Sequence, residues 1–256
     1  MSKFARMTDV LELFSGTEAL LSAEEIAERL AVSRPTAFRY ARELSASGFL
    51  ANFGGRYCLG PRLVTLDYRI RESDPLLRIA RGTMRRLVGE TSYGVILCRM
   101  YNSDIINVHH ETGHDDVQIS FGRGKPMPLF RGSASKIMLA QLPSAHLKRL
   151  HEQHGSEPDA LAIAADWPGF RKYFSDIRRA GHYVSSEEVD EHVIGIAAPV
   201  VAPGLGAVAA ISLVTSAERR ALLNVDGLAE LVMERARQIG DALQELAPQA
   251  TEPAGG

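Results

Sequence analysis

Several residue groups in the sequence have the types and spacing that do chemistry. Ser133-Ala-Ser-Lys136 has the Ser-x-x-Lys spacing in which a lysine can activate a serine nucleophile. No Lys-Thr-Gly element accompanies it, and no histidine or carboxylate stands beside it in the sequence to act as a base. His151-Glu-Gln-His154 has the residues of a zinc helix at a three-residue spacing, whereas two imidazoles share a helix face at four. His109, His110, His114, Asp115 and Asp116 are metal-ligand types without a ligand spacing, so a solvated loop is the expected reading. Gly204-x-Gly206-x-x-Ala209 falls between two expected strands, whereas a dinucleotide fingerprint opens a helix. Gly122-Arg-Gly-Lys125 lacks the spacing of a phosphate loop. No catalytic constellation, metal site or cofactor site is expected, and the chain is not expected to be an enzyme.

One stretch keeps a binding role. Met127-Pro-Leu-Phe-Arg-Gly-Ser-Ala-Ser-Lys136 runs into a helix start rich in hydroxyls and small residues. Free N–H groups at such a start suit a carboxylate or other anion, and Arg131 could pair with it. Plain capping by Ser133 or Ser135 explains the same residues equally well.

The elements that must position these residues follow from composition and pattern. The chain has 256 residues, 45% hydrophobic and 23% charged, which is enough for two ordinary globular domains. The two cysteines, Cys58 and Cys98, fit a reducing cytoplasmic setting, and the N-terminus lacks the apolar run of a signal peptide. The uncharged stretch 193–214 is long enough to cross a bilayer. Pro199, Pro203, Gly204 and Gly206 interrupt it, however, so two buried strands around a Pro-Gly turn are expected.

Charge is unevenly placed. Residues 29–71 hold eight arginines opposed by Glu43 and Asp67, a net of +6 in a chain whose formal charge is −2. Such a segment is an electrostatic footprint for a polyanion. In the same region Thr8 can cap a first helix carrying Val10, Leu11 and Phe14. Ser22 and Glu25 form a capping box with Leu21 and Ile26 as its hydrophobic staple. After a tight Ala31-Val32 turn, Ser33 caps a helix to about Ser47, whose apolar stripe is read as Ala37, Phe38, Ala41 and Leu44. Gly54-Gly55 turns a hairpin. Helix, helix, turn, helix and hairpin make a winged helix-turn-helix. Ser33, Arg34, Thr36 and Arg39 are placed to meet DNA, with Arg42 on the same outer face, Tyr40 on its flank and Arg56 in the wing.

A connecting helix is expected over 61–74. The rest reads as α+β: a helix to Glu90, strands at 93–100, 105–110 and 117–121, and helices at 133–142, 144–154 and 170–180. Strands follow at 182–185, 194–201 and 206–214, then a long helix from Val225 to Leu246. The tail 247–256 is expected to be disordered.

The chain resembles the IclR-type family of bacterial transcriptional regulators over residues 8–246. The segments that carry the resemblance are "LSAEEIAERLAVSRPTAFRYARELSASGFL" with "GGRYCLGPRL", then "LVGETSYGVIL", "IRRAGHYVSSEEV" and "IAAPVVAPGLGAVAAISLV". The resemblance implies a DNA-binding domain at 1–60, a linker helix at 61–74 and a GAF/profilin-like effector-binding domain at 75–246. It also implies dimers or tetramers on double-stranded palindromic promoter DNA. Its effector pocket maps to Met127, Ser133, Ala134, Ser135, Ser185, Val193, Gly195 and Ser212. The chain departs from the family pattern at Phe130-Arg131 for His-Ala, Ser135 for glycine, Ser185 for an acid and Gly195 for a frequent cysteine. An acid lost at Ser185, a cation gained at Arg131 and space gained at Gly195 point to a carboxylate or aromatic acid as effector. The implied function is a cytoplasmic, ligand-responsive repressor of a catabolic operon. The alternatives are a winged-helix enzyme using Ser133 and Lys136, or a regulator whose second domain only assembles.

Overall fold

The computed structural model describes residues 3–16, 18–114, 117–202, 204 and 206–246. Asp115 and Asp116 of the candidate metal group, Pro203 of the expected turn and the tail 247–256 lie outside them. The chain divides into two compact units at the Asp74–Pro75 junction.

The first unit contains helix α1 (Lys3–Asp9), strand β1 (Leu21–Ser22), helices α2 (Ala23–Arg29) and α3 (Arg34–Ala46), strands β2 (Leu50–Phe53) and β3 (Arg56–Leu59), and helix α4 (Pro61–Ser73). The strands form an antiparallel sheet in the order β1-β3-β2. The capping box is complete: Ser22 Oγ accepts from the Glu25 N–H at 3.2 Å, and Glu25 Oε2 accepts from the Ser22 N–H at 2.6 Å. Leu21 and Ile26 on either side of it are buried. The β2–β3 turn needs positive φ at both central residues, and Gly54 and Gly55 adopt 60° and 85°.

Two expectations are corrected here. Thr8 lies inside α1 and donates to the Ala5 carbonyl at 2.8 Å, so it does not cap; the helix begins earlier than its apolar residues suggest. On α3, Tyr40 is buried and Phe38 is 52% exposed. The stripe Ala37-Tyr40-Ala41-Leu44 follows i, i+3, i+4, i+7, and at 3.6 residues per turn Phe38 sits about 110° round the wheel from its centre.

The second unit contains α5 (Pro75–Thr91), β4 (Gly94–Tyr101), β5 (Asp104–Glu111), β6 (Pro126–Met127), α6 (Ser133–Gln141), α7 (Ser144–His154), α8 (Pro158–Leu161) and α9 (Trp167–Ala180). They are followed by β7 (Tyr183–Ser186), β8 (Val193–Ala202), β9 (Gly206–Ser216) and α10 (Val225–Leu246). The six strands form an antiparallel sheet in the order β6-β5-β4-β9-β8-β7. Alternation along the strands divides the core in two. Leu97, Ile196, Ile211 and Leu213 pack with α5 and α10, through Leu87, Val232 and Ile239 among others. Ile96, Cys98, Ala197, Ala210 and Val214 pack on the opposite face with Ile137 of α6 and Phe170 and Phe174 of α9.

The uncharged stretch forms β8 and β9, paired with each other, and no described helix is long and apolar enough to cross a membrane. Residues 117–121 do not form the expected strand; β6 supplies the sheet edge instead. The alternating apolar residues Ile119 and Phe121 face the cavity described below rather than a neighbouring strand. Helix α9 begins at Trp167, three residues early, because the Asp166 carboxylate accepts the Gly169 N–H at 2.9 Å.

Candidate DNA-reading face and effector cavity

In the first unit, α3 turns a polar and basic face outward. Ser33 stands at its N-cap, but its Oγ lies 2.9 Å from Thr36 Oγ1 rather than on a backbone N–H. Arg34 is exposed and paired with Glu24. Arg39 and Arg42 are exposed and carry no ion pair among the described residues; the Arg39 guanidinium lies 5.6 Å from the Tyr40 ring centroid. Arg56, next to the turn of the β2–β3 hairpin, is held by Glu25 Oε2 at 3.0 Å and the Leu20 carbonyl at 2.9 Å. That arginine holds the Glu25 carboxyl below its ordinary range, second to the Ser22 backbone hydrogen bond. Tyr40 belongs to the core, so its assignment to the DNA face is withdrawn on burial; Phe38 takes a place on that face.

The second unit encloses a cavity of about 40 Å³ between the start of α6 and the sheet. Sheet pairing sets Ser185 of β7 opposite Gly195 of β8, and Ala197 opposite Ser212 of β9. Strand alternation turns these residues toward α6. Ser133 Oγ lies 2.9 Å from Ser212 Oγ, and the Ser133 N–H donates to Ser185 Oγ at 3.1 Å. The cavity is thus bounded by the hydroxyls of Ser133, Ser185 and Ser212, with Met127, Ala134, Val193 and Gly195 also lining it.

Several residues differ from expectation. Arg131 does not line the cavity; its Nε lies 3.0 Å from Asp159 Oδ2. Ser135 is fully buried in α6, its Oγ without a hydrogen-bond partner, and also does not line the cavity. Gly195 does not leave free space, because a Cβ there would overlap Ser133 Oγ and come within 3.0 Å of Ser185 Oγ. The sequence reading missed Glu188 and Asp190, which bring carboxylates to the cavity wall from the loop after β7. Glu188 falls within the segment "IRRAGHYVSSEEV" that carries the family resemblance and Asp190 just after it, and both are acids in a short polar stretch between strands.

Glu188 anchors a polar network. Its Oε2 accepts from the Gly132 N–H at 2.9 Å and lies 2.8 Å from Lys136 Nζ, while its Oε1 accepts from the Tyr183 hydroxyl at 2.8 Å. Lys136 also donates to the Tyr183 oxygen at 3.0 Å, and Tyr173 lies 2.8 Å from it. Burial and these neighbours push the Tyr183 phenol well above its ordinary value, so it stays a neutral donor.

The same network separates Ser133 from Lys136. The serine hydroxyl meets Ser212 and the ammonium meets Glu188 and Tyr183, so the Ser-x-x-Lys pair is not assembled as nucleophile and base. His151 packs on Phe170 with ring centroids 4.8 Å apart, and His154 pairs with Glu157. His109 pairs with Glu111 at 2.9 Å. Among the described residues, no three His, Cys, Asp or Glu side chains group as metal ligands.

Comparison with known proteins places these features in a family. Residues 5–52 match the IclR helix-turn-helix domain, and residues 70–241 match the C-terminal domain of the bacterial transcriptional regulator IclR. The glycerol operon regulatory protein of Streptomyces griseus is 27% identical over 219 residues, covering 84% of each chain. An IclR transcriptional regulator from Alicyclobacillus acidocaldarius shares the fold with a TM-score of 0.76 at 20% identity, over 93% of this chain and 97% of that one. An IclR homologue from Microbacterium hydrocarbonoxydans, solved with 4-hydroxybenzoate, shares it with a TM-score of 0.74 at 23% identity, over 95% and 100%. With both halves of the chain matched, this protein belongs to the IclR family of bacterial transcriptional regulators.

Proposed function

We propose that the chain represses a catabolic operon until a small organic effector enters the cavity of its second unit. Residues 1–60 read a palindromic operator as part of a homodimer or tetramer, 61–74 connect, and 75–246 sense the effector, all in the cytoplasm. Ser33, Arg34, Thr36, Phe38, Arg39 and Arg42 present donors, cations and one apolar ring to the major groove, and Arg56 meets the flanking backbone. Arginine pairs bidentately with guanine, and an apolar ring suits the thymine methyl.

The observation that carries the effector reading is the ring of Ser133, Ser185 and Ser212 around a cavity, on a chain whose other unit is a helix-turn-helix. The Microbacterium relative solved with 4-hydroxybenzoate supports an organic ligand, and the Streptomyces relative's name supports an operon as target. A ligand changes operator occupancy only if it binds one arrangement of the protein better than another. Ser133 and Lys136 meet different partners, which disfavours the enzyme alternative.

The test is fluorescence anisotropy with promoter fragments from the chain's own genomic neighbourhood, with and without candidate effectors. Arg39→Ala is expected to cost about 1–3 kcal/mol of operator binding and to relax base preference at one position. Unchanged binding removes Arg39 from the reading face. A reporter fused to the bound promoter gives the direction of control: expression that falls on deleting the gene refutes repression.

A further inference from the structure

We propose that the cavity selects small ligands with an uncharged polar head, such as an alcohol or amide on an apolar body, over carboxylates of the same skeleton. The proposal rests on the reading of this cavity as the effector site and narrows its ligand class.

An anion entering at the start of α6 would look for helix N–H groups and a cation. The chain's own acceptors already hold the first two of these N–H groups and the one cation beside them. The Gly132 N–H donates to Glu188 Oε2 at 2.9 Å, and the Ser133 N–H donates to Ser185 Oγ at 3.1 Å. Lys136 is nearly buried, and its ammonium is 2.8 Å from that same Glu188 oxygen and 3.0 Å from the Tyr183 hydroxyl. Glu188 therefore stands where an effector carboxylate would find its partners.

Among the described residues, no other cation lines the cavity to replace the one so held. Arg131 pairs with Asp159, outside the cavity. Lys125 donates to the Ser120 carbonyl at 3.0 Å and lies over the Phe121 ring, again without lining the cavity. The charged residues that do line it are Glu188 and Asp190, both acidic. Asp190 is held there by the Ser120 N–H, which donates to its Oδ2 at 3.0 Å.

What is offered to a ligand is three hydroxyls, each engaged within the protein but with a lone pair left to accept a donor that a carboxylate lacks, and an apolar wall that includes Ile96, Ile119 and Val214. A carboxylate brought here loses its water without a counter-charge and meets Asp190. An uncharged head loses less hydration and can satisfy the serines. The volume, about 40 Å³, is of the order of three ordered waters, so small skeletons are favoured.

The test uses the full-length protein and two matched probe series: acetamide, ethanol and acetate, then propionamide, 1-propanol and propionate. Titration calorimetry, with thermal denaturation as a second readout, is expected to show the uncharged members at least tenfold tighter than the acid of the same series. Asp190→Asn keeps an acceptor for the Ser120 N–H and is expected to raise the affinity for the acids severalfold while leaving the amides within twofold. A carboxylate that binds the wild type as tightly as its amide overturns the proposal and leaves the effector site standing. Carboxylate affinity unmoved by Asp190→Asn removes Asp190 from the selection and counts against the proposal. If none of the six probes binds, the effector reading of the cavity fails and the proposal with it.

Discussion

Ser133 Oγ and Ser212 Oγ lie 2.9 Å apart, tying the first turn of α6 to the central strand β9. The contact depends on a third position: a side chain at Gly195 would occupy the space of the Ser133 hydroxyl. Gly195→Ala is therefore expected to destabilise the chain by about 1–3 kcal/mol, as overpacking of a filled core does. Ser133→Ala vacates the contested space, so the double variant should recover most of that loss. Urea denaturation of the two single variants and the double variant checks this. Strictly additive costs would show that the two sites do not compete for the same volume.

Neighbouring aromatics on α3 should part company under mutation. Tyr40 is 4% exposed within the core of the first unit, and Phe38 is 52% exposed on its outer face. Tyr40→Ala should cost about 3–5 kcal/mol of stability, as large aromatic truncations in a core do. Phe38→Ala should leave stability within about 0.5 kcal/mol, as exposed substitutions do. Its operator affinity should fall, and replacing operator thymines by uracil should reproduce that loss in the wild type. Equal effects of the two substitutions on melting temperature would contradict the assigned faces.

The contrast between these two residues shows where sequence is enough. The capping box of Ser22 and Glu25 and the Gly54-Gly55 turn are written in neighbouring residues, because their physics is local. Tyr40 fits the i, i+3, i+4, i+7 spacing of the buried stripe and Phe38 does not, so helical spacing strictly applied already separates the two. Strand β1 has two residues and exists because Leu21 pairs with Tyr57 far along the chain. In the second unit, Ser133, Ser185 and Ser212 stood out as candidate pocket residues, but their distances follow from strand register. Arg131 does not take its expected part, since the cation turns away to Asp159, while Glu188, to which no part was assigned, reaches across to Gly132 and Lys136. Such choices depend on partners distant in sequence, and local pattern carries no record of them.

The two thiols should differ in reactivity. Cys98 is fully buried in β4, and burial pushes its pKa up to about 12, so at pH 8 it offers almost no thiolate. Cys58 in β3 is partly exposed. Titration of the native protein with a thiol-reactive disulfide should label one cysteine, and denaturant should release the second. If Cys58→Ala still labels readily while folded, Cys98 is not sealed in the core.

Acid should weaken the fold in two separable stages. His110 of β5 is half-buried, and its pKa is lowered from 6.5, first by desolvation and then by His109, with Glu111 opposing. A lowered folded value means that the unfolded chain binds the proton more readily. Stability from this histidine is therefore complete above about pH 6.5 and declines as pH falls toward the folded value, by at most about 1.4 kcal/mol per pH unit for one proton. The carboxyls with lowered values behave alike in direction but lie further down. Glu25, held by the Ser22 backbone and Arg56, and Asp176, held by Lys172 and Arg179, lose their contributions only below their ordinary values of 4.5 and 3.8. Urea denaturation at pH 8, 6, 5, 4, 3 and 2.5 should therefore show a first decline that His110→Gln flattens and a second, below the ordinary carboxyl values of 4.5 and 3.8, that it leaves intact. An unaltered profile in that variant would assign the first stage to another group.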